Sequence, residues 1–295
     1  MTIDVELVAS DTADNIVPDG NVLEPAADDP VAASQIDTVP YVAWAGPPVF
    51  GAGKASAAFF LLLLAQVVAA IAVMVAGTIV ALIRGQNIAD PAFASRLTAA
   101  TSAPLLIAAA IASTLAVFAT ARFWAWHIVR DKSSDGIGMT AAPRTQILFW
   151  SGAGVLVSML YLATAIWIVP FDPSAPAGPL ATAVSGGLLN RIAFAILALL
   201  FAPFVEEFFF RGLLLKGFST SWGAKAGSIV VTVLFVLLHL GETYNYWPAT
   251  LFVTLMACGT LAARRLTGSL APAIALHGSY NLVIVLFVFM APFIS

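Results

Sequence analysis

The chain has 295 residues, of which 60% are hydrophobic and only 10% charged, and its mean hydropathy is +0.95. That is far more apolar than a soluble domain of ordinary usage, so the sequence reads as an integral membrane protein and offers no basic surface for a nucleic acid. The net charge of -3 describes no single region, because the charges are unevenly placed.

Acidity is concentrated at the front. Asp4, Glu6, Asp11, Asp14, Asp19, Glu24, Asp28, Asp29 and Asp37 precede Lys54, the first basic residue. This stretch lacks the basic n-region and apolar h-region of a signal peptide. With no sustained helical or strand period, residues 1–53 are expected to be a disordered acidic tail. The aromatic pair in Val39-Pro40-Tyr41-Val42-Ala43-Trp44 suits an anchor at the membrane interface.

Apolar runs long enough to cross hydrocarbon, about 20 residues each as a helix, then follow one another. They lie between Lys54 and Arg84, Arg96 and Arg122, and Arg144 and Asp172. After the Pro-rich loop from Asp172 to Pro179, four more run from Arg191 to Lys216, Lys225 to Glu242, Thr243 to Arg264, and about Leu270 to Phe293. The expected fold is all-α: a polytopic transmembrane bundle of about seven helices.

Orientation follows from Lys and Arg in short loops. Arg122, Arg130, Lys132 and Arg144 share one loop, Lys216 and Lys225 another, and Arg264 and Arg265 follow the sixth run. These alternate with loops at Asp172 and Glu242 that carry no basic residue, which puts the amino terminus in the cytoplasm. Arg84 and Arg96 fall on the outer side in this scheme, a conflict that an additional re-entrant segment early in the chain would remove. Cys258 is the only cysteine and forms no internal disulfide.

The chemistry is concentrated in Val205-Glu206-Glu207-Phe208-Phe209-Phe210-Arg211, where two carboxylates and a guanidinium interrupt the fourth run. Such groups at bilayer depth cost about 2.5 to 3.5 kcal/mol each on insertion scales and face an interior or a wet cavity. Glu207 and Arg211 are four apart and share a helix face. Glu206 is turned about 100° from its neighbour. An ion pair that staples helices accounts for Glu207 and Arg211 but not for Glu206, whose surplus charge suits a general base near a water. Of three histidines, His239 falls in the fifth run, four residues after Phe235, and His277 in the seventh, four before Asn281. His127 lies in Trp124-Ala125-Trp126-His127 and reads as part of an interfacial aromatic belt. Singly, His239 is most simply structural, Phe235 packing, and His277 with Asn281 an interhelical hydrogen-bond pair.

In order, Glu206-Glu207 with Arg211, Phe235 with His239, and His277 with Asn281 resemble the EExxxR, FxxxH and HxxxN motifs of the CPBP intramembrane proteases. That family includes the type II CAAX prenyl endopeptidases and bacteriocin-processing and self-immunity (ABI-like) proteins. The Thr267-Gly268-Ser269-Leu270 turn is similar too, and the likeness covers roughly Arg191 to Phe289. It implies accessory transmembrane helices over 54–180 and a catalytic core over 181–295. Glu206 would then activate a water for attack on a peptide carbonyl, Glu207 and Arg211 would position it, and His239, His277 and Asn281 would face the same cavity as oxyanion donors. The implied partner is a membrane-embedded or lipid-anchored protein or peptide in the bilayer, and the implied setting is a bacterial inner membrane.

No cofactor is expected, although His239, His277 and Glu206 have the ligand types of a catalytic zinc site; the HExxH spacing is absent. A rival reading is a non-proteolytic membrane interaction or immunity protein that uses the polar cluster only to hold helices in register. One geometric difficulty stands. Counted from the cytoplasmic ends, Glu206 and His277 lie about 15 and about 10 Å deep, whereas His239 lies near 20 Å. Convergence requires the fifth helix to tilt or to begin deeper.

Overall fold

A computed structural model describes residues 50–130, 136–170, 187–243 and 245–294. The acidic tail, up to residue 49, and the Pro-rich loop from Asp172 to Pro179 lie outside the described residues. Those that are described form helices joined by turns, with no strand among them.

Helix α1 is Ala52–Ile83, α2 Phe93–Phe123, the short α3 Trp126–Arg130, and α4 Arg144–Ala163, which runs into a π-helical turn, Thr164–Ile168 (π1). A composite helix follows. It begins as α5, Gly187–Ile196, and passes through π2 (Leu197–Phe201), α6 (Ala202–Glu207) and π3 (Phe208–Leu214) into α7, Leu215–Thr243. Helices α8, Trp247–Thr267, and α9, Ala271–Ile294, complete the order.

Asn190–Gly241 is one unbroken apolar stretch of 52 residues, which as a single straight helix would measure about 78 Å, more than twice the hydrocarbon core. It is two passes. At Gly223 the backbone has φ 82° and ψ 164°, a region essentially reserved for glycine, and the chain doubles back there. The ring centroids of Phe210 and Phe235, one on each arm, are 5.0 Å apart. Arg265 fastens the turn, donating from Nη2 to Ser219 Oγ (2.7 Å) and Ala224 O (3.0 Å), and from Nε to Ser228 Oγ (3.2 Å). Among the described residues five stretches are long and apolar enough to cross a membrane, the composite one long enough for two passes, and α9 holds a further, shorter apolar stretch, Ala271–Phe287, against the about seven helices expected.

Two expectations are corrected. The fourth run does not stop at Lys216: the helix continues to Trp222, because a lysine near a helix end can lay its stem along apolar surface and needs no loop. Nor is there a re-entrant segment between α1 and α2, where residues 84–92 are turns. Arg96 is instead neutralised by Asp90 at 2.7 Å, and Asp90 Oδ1 also accepts from the Ala92 N–H at 2.8 Å.

Packing is tightest where small residues admit a neighbour. A Cβ on Gly154 of α4 would come within 2.2 Å of Leu276 O and 2.3 Å of Ser279 Oγ on α9, and one on Gly217 within 2.7 Å of Ala55 Cβ on α1. Such approaches are how membrane helices gain dispersion contact when no hydrophobic drive separates lipid from side chain. The core is aromatic, with Phe208, Phe209, Phe210, Phe218 and Phe235 all buried. Large apolar side chains such as Val68, Ile71, Ile111, Leu115, Phe149 and Leu156 are exposed, the distribution of a protein that meets lipid.

Candidate active site

The triple phenylalanine of π3 packs the helix into the core from both sides, Phe210 against Phe59 of α1 at 6.4 Å and Phe208 against Phe118 of α2 at 6.4 Å. That packing carries Glu207 and Arg211 fully out of solvent. Arg211 Nη1 donates to Glu207 Oε1 at 3.2 Å and Nη2 to the carbonyl of Ala257 on α8 at 3.0 Å. The guanidinium also lies 4.2 Å from the centroid of the Phe235 ring, a desolvated cation–π contact. Burial of the ion pair is thus partly compensated by contacts from two further helices, while Glu207 Oε2 and Arg211 Nε stay buried without a hydrogen-bond partner.

Glu207 Oε1 has a second partner. His277 Nδ1 is 2.9 Å away, so the contacts of Glu207 run to Arg211 and His277 rather than to Glu206. A carboxylate only accepts, which places the proton of the neutral ring on Nδ1 and turns Nε2 the other way. His239 is oriented by the same logic. Its Nδ1 donates to Phe235 O at 2.9 Å, and its ring stacks on Phe235 with centroids 4.4 Å apart.

Both Nε2 atoms then point at one oxygen. Glu206 Oε2 is 3.7 Å from His239 Nε2 and 4.0 Å from His277 Nε2. These separations exceed a direct hydrogen bond, and this oxygen is buried without a hydrogen-bond partner, although the side chain as a whole is 26% exposed. Glu206 therefore sits at a wall of the cluster rather than inside it. Five of the six expected residues, Glu206, Glu207, Arg211, His239 and His277, come together. The amide of the sixth, Asn281, donates from Nδ2 to Ala198 O at 2.8 Å.

The depth mismatch is resolved by the turn. Measured from Gly223, Glu206 lies 17 residues back and His239 16 residues on, about 25 and about 24 Å along their arms. Placing the turn at Lys216 shortened one arm and created the difficulty. His277 reaches the same level because the start of α9 is tied down. Gly268 ends α8 in the left-handed conformation, Ser269 Oγ donates to Thr140 O at 2.6 Å, and the Leu270 N–H donates to Gly138 O at 2.8 Å.

One contributor was read in the sequence only as packing, and another went unnoticed. Phe235 serves as the plate between Arg211 and His239, and its place in the spacing with His239 was the available signal. The Ala257 carbonyl has no side-chain signal at all. His127 lies at the α2–α3 corner, where burial, with help from Lys54, holds its imidazole below the usual range.

As to metal, no group of three or more His, Cys, Asp or Glu among the described residues is arranged to hold an ion. In a tetrahedral zinc shell with bonds of about 2.0 to 2.2 Å, neighbouring ligand atoms are about 3.3 Å apart. Glu206, His239 and His277 would have to draw in by several tenths of an ångström.

Residues 188–283 match the family model for Rce1-like proteins, described as type II CAAX prenyl endopeptidase Rce1-like. Comparisons with curated proteins and with solved structures gave no match. The matched span contains all six expected site residues and Phe235, and it leaves α1 to α4 outside. Over residues 188–283, about a third of its length, this integral membrane chain is similar to the Rce1-like, type II CAAX prenyl endopeptidase family.

Proposed function

We propose that the protein is an intramembrane endopeptidase that hydrolyses a peptide bond in a membrane-embedded or lipid-anchored protein or peptide. The observation that carries this reading is Glu206 Oε2, a buried carboxylate oxygen without a protein hydrogen bond, faced by two imidazole Nε2 atoms at 3.7 and 4.0 Å. Glu206 takes a proton from a water, whose oxygen forms a bond to the scissile carbonyl carbon. The carbonyl oxygen becomes an oxyanion, and His239 or His277 is the donor nearest to it when its ring is the doubly protonated imidazolium, with Nδ1 keeping its present partner and Nε2 donating to the oxyanion. As the C–N bond breaks, Glu206 returns its proton to the leaving amine. Glu207 holds His277 with its second nitrogen turned toward the reaction, and Arg211 neutralises Glu207. The chemistry proceeds without a metal. In this reading the amino terminus is cytoplasmic, which the basic residues of the short loops support, and the membrane is a bacterial inner membrane.

The test is purified wild-type protein and Glu206→Gln in liposomes, each offered a prenylated CAAX peptide, alongside the membrane proteomes of cells bearing either form. Cleavage by the wild type and none by a folded Glu206→Gln is expected. Unchanged function of Glu206→Gln would refute hydrolysis and leave the non-proteolytic role. Activity lost to a chelator and restored by zinc would overturn the metal-free step alone.

A further inference from the structure

Helix α9 grips the composite helix at two points, His277 on Glu207 and, four residues on, Asn281 on Ala198. The second grip is explained by a proline. In π2 the Ala202 N–H reaches back to Leu197 O and is therefore not available to Ala198 in the α-helical manner. Continuing the π pattern, the next donor, for Ala198 O, would be the nitrogen of residue 203. That residue is Pro203, which has no N–H. The Ala198 carbonyl is left without a donor from its own helix, and at a half-buried position inside a bundle an unpaired carbonyl is costly. Asn281 Nδ2 supplies one at 2.8 Å. Helix α9 passes close enough to do so, since a Cβ on Gly278 would lie 3.9 Å from Pro203 Cβ and Cγ.

We infer that Asn281 is a positioning residue: its amide replaces the N–H that Pro203 lacks, and so fixes the register of Glu206 against His277. The inference rests on the hydrolytic reading for its consequence in catalysis. Ala198 precedes Glu206 by eight residues, about two turns of helix, and His277 precedes Asn281 by one. The two grips define where the Glu206 carboxylate stands relative to the His277 ring. An amide committed to a backbone carbonyl is held away from a developing oxyanion, so this role differs from that of an oxyanion donor.

The experiment is a double-mutant cycle with a pH profile. Thermal unfolding in detergent is measured for wild type, Pro203→Ala, Asn281→Ala and the double variant. Asn281→Asp, which keeps the size but loses the donor, is the second probe and needs no change at Pro203. Residue 203 regains an N–H in Pro203→Ala, so the Tm loss caused by Asn281→Ala should shrink to less than half in that background. Asn281→Asp should lower Tm as Asn281→Ala does. In the peptidase assay both Asn281 variants should lose about a hundredfold in kcat, the scale of a misplacement near 1 Å. They should also shift the acid limb of the kcat/KM profile, because the distance of Glu206 from His277 changes. Strictly additive Tm losses, or a kcat scaled down equally at every pH, overturn the inference. A wild type without peptidase activity defeats the hydrolytic reading instead, while the Tm cycle still decides the Ala198 contact.

Discussion

Nδ1 of His277 donates to Oε1 of Glu207 across 2.9 Å, while Nε2 of the same ring stands 4.0 Å from Oε2 of Glu206. One imidazole thereby separates two sequence-adjacent carboxylates, Glu207 hydrogen-bonded and Glu206 with an oxygen that has no hydrogen-bond partner, and on the proposed mechanism the first orients and the second reacts. Glu207→Gln keeps the volume but removes the charge that holds the ring. A fall in kcat of about 10⁴, the scale seen when the orienting carboxylate of a serine-protease triad becomes an amide, should accompany a lowered Tm. Glu206→Gln should abolish turnover with Tm nearly unchanged. Calorimetry and a turnover assay on the two variants separate the roles, and matching stability losses would contradict the division.

Arg211 is the counter-charge for a carboxylate with no exposure of its own. Arg211→Met strands that charge and should destabilise the protein by about 3 to 5 kcal/mol. Adding Glu207→Gln removes the stranded charge and should recover part of the loss. Arg211→Lys should not rescue, because a single ammonium cannot serve Glu207, the Ala257 carbonyl and the Phe235 face together. Denaturant titration of the four proteins gives the comparison.

At the α4–α9 crossing, Gly154→Ala would place a methyl 2.2 Å from Leu276 O, which backbone can only answer by moving. A cost of about 1 to 3 kcal/mol is expected. Since Leu276 adjoins His277, turnover should fall as well, while Gly152→Ala, with open space at that position, serves as the neutral control.

The hairpin at Gly223 tolerates no side chain at its φ of 82° and ψ of 164°. Gly223→Ala should cost about 1 to 3 kcal/mol, read as a lower Tm. Loss of the Arg265 ties by Arg265→Ala should weaken the same turn, and the two changes should be non-additive.

A pH effect is expected outside the membrane. The hydrogen bond from Arg96, then that from the Ala92 N–H, holds the Asp90 carboxyl below its ordinary value of 3.8. The folded value lies under the unfolded one, so the contribution is present above about pH 4 and is lost as pH falls through the depressed value. Being at the surface, with side chains 48% and 38% exposed, the pair contributes little. The Tm difference between wild type and Asp90→Asn should be small at neutral pH and vanish in acid; a difference that grows in acid would contradict the assignment.

Charges that break an apolar run are conspicuous, which is why Glu206, Glu207 and Arg211 stood out, and spacing of four placed Glu207 on Arg211. Hydropathy marked the apolar stretches of α1, α2, α4, the composite helix, α8 and α9. The end of the helix at Trp222 was hidden because Lys216 resembles a loop residue, and only the positive φ at Gly223 distinguishes a turn there. The π turns were invisible because hydrophobic periodicity is the same on either side of them. Asn281 was read as facing the cavity because its actual partner is a backbone carbonyl, for which no letter exists; Pro203 was the one clue.

The turn at Gly223 also acts as the origin of a ruler. With Glu206 and His239 17 and 16 residues from it, inserting or deleting one residue on either arm rotates its functional group by about 100° and slides it about 1.5 Å. A matching change on the other arm restores the level but not the rotation, so single-residue length changes between 206 and 239 should abolish the convergence of Glu206 and His239 even in pairs. Away from Gly223 and the residues that touch the cluster, the side chains of this hairpin are free to drift, whereas its length is not.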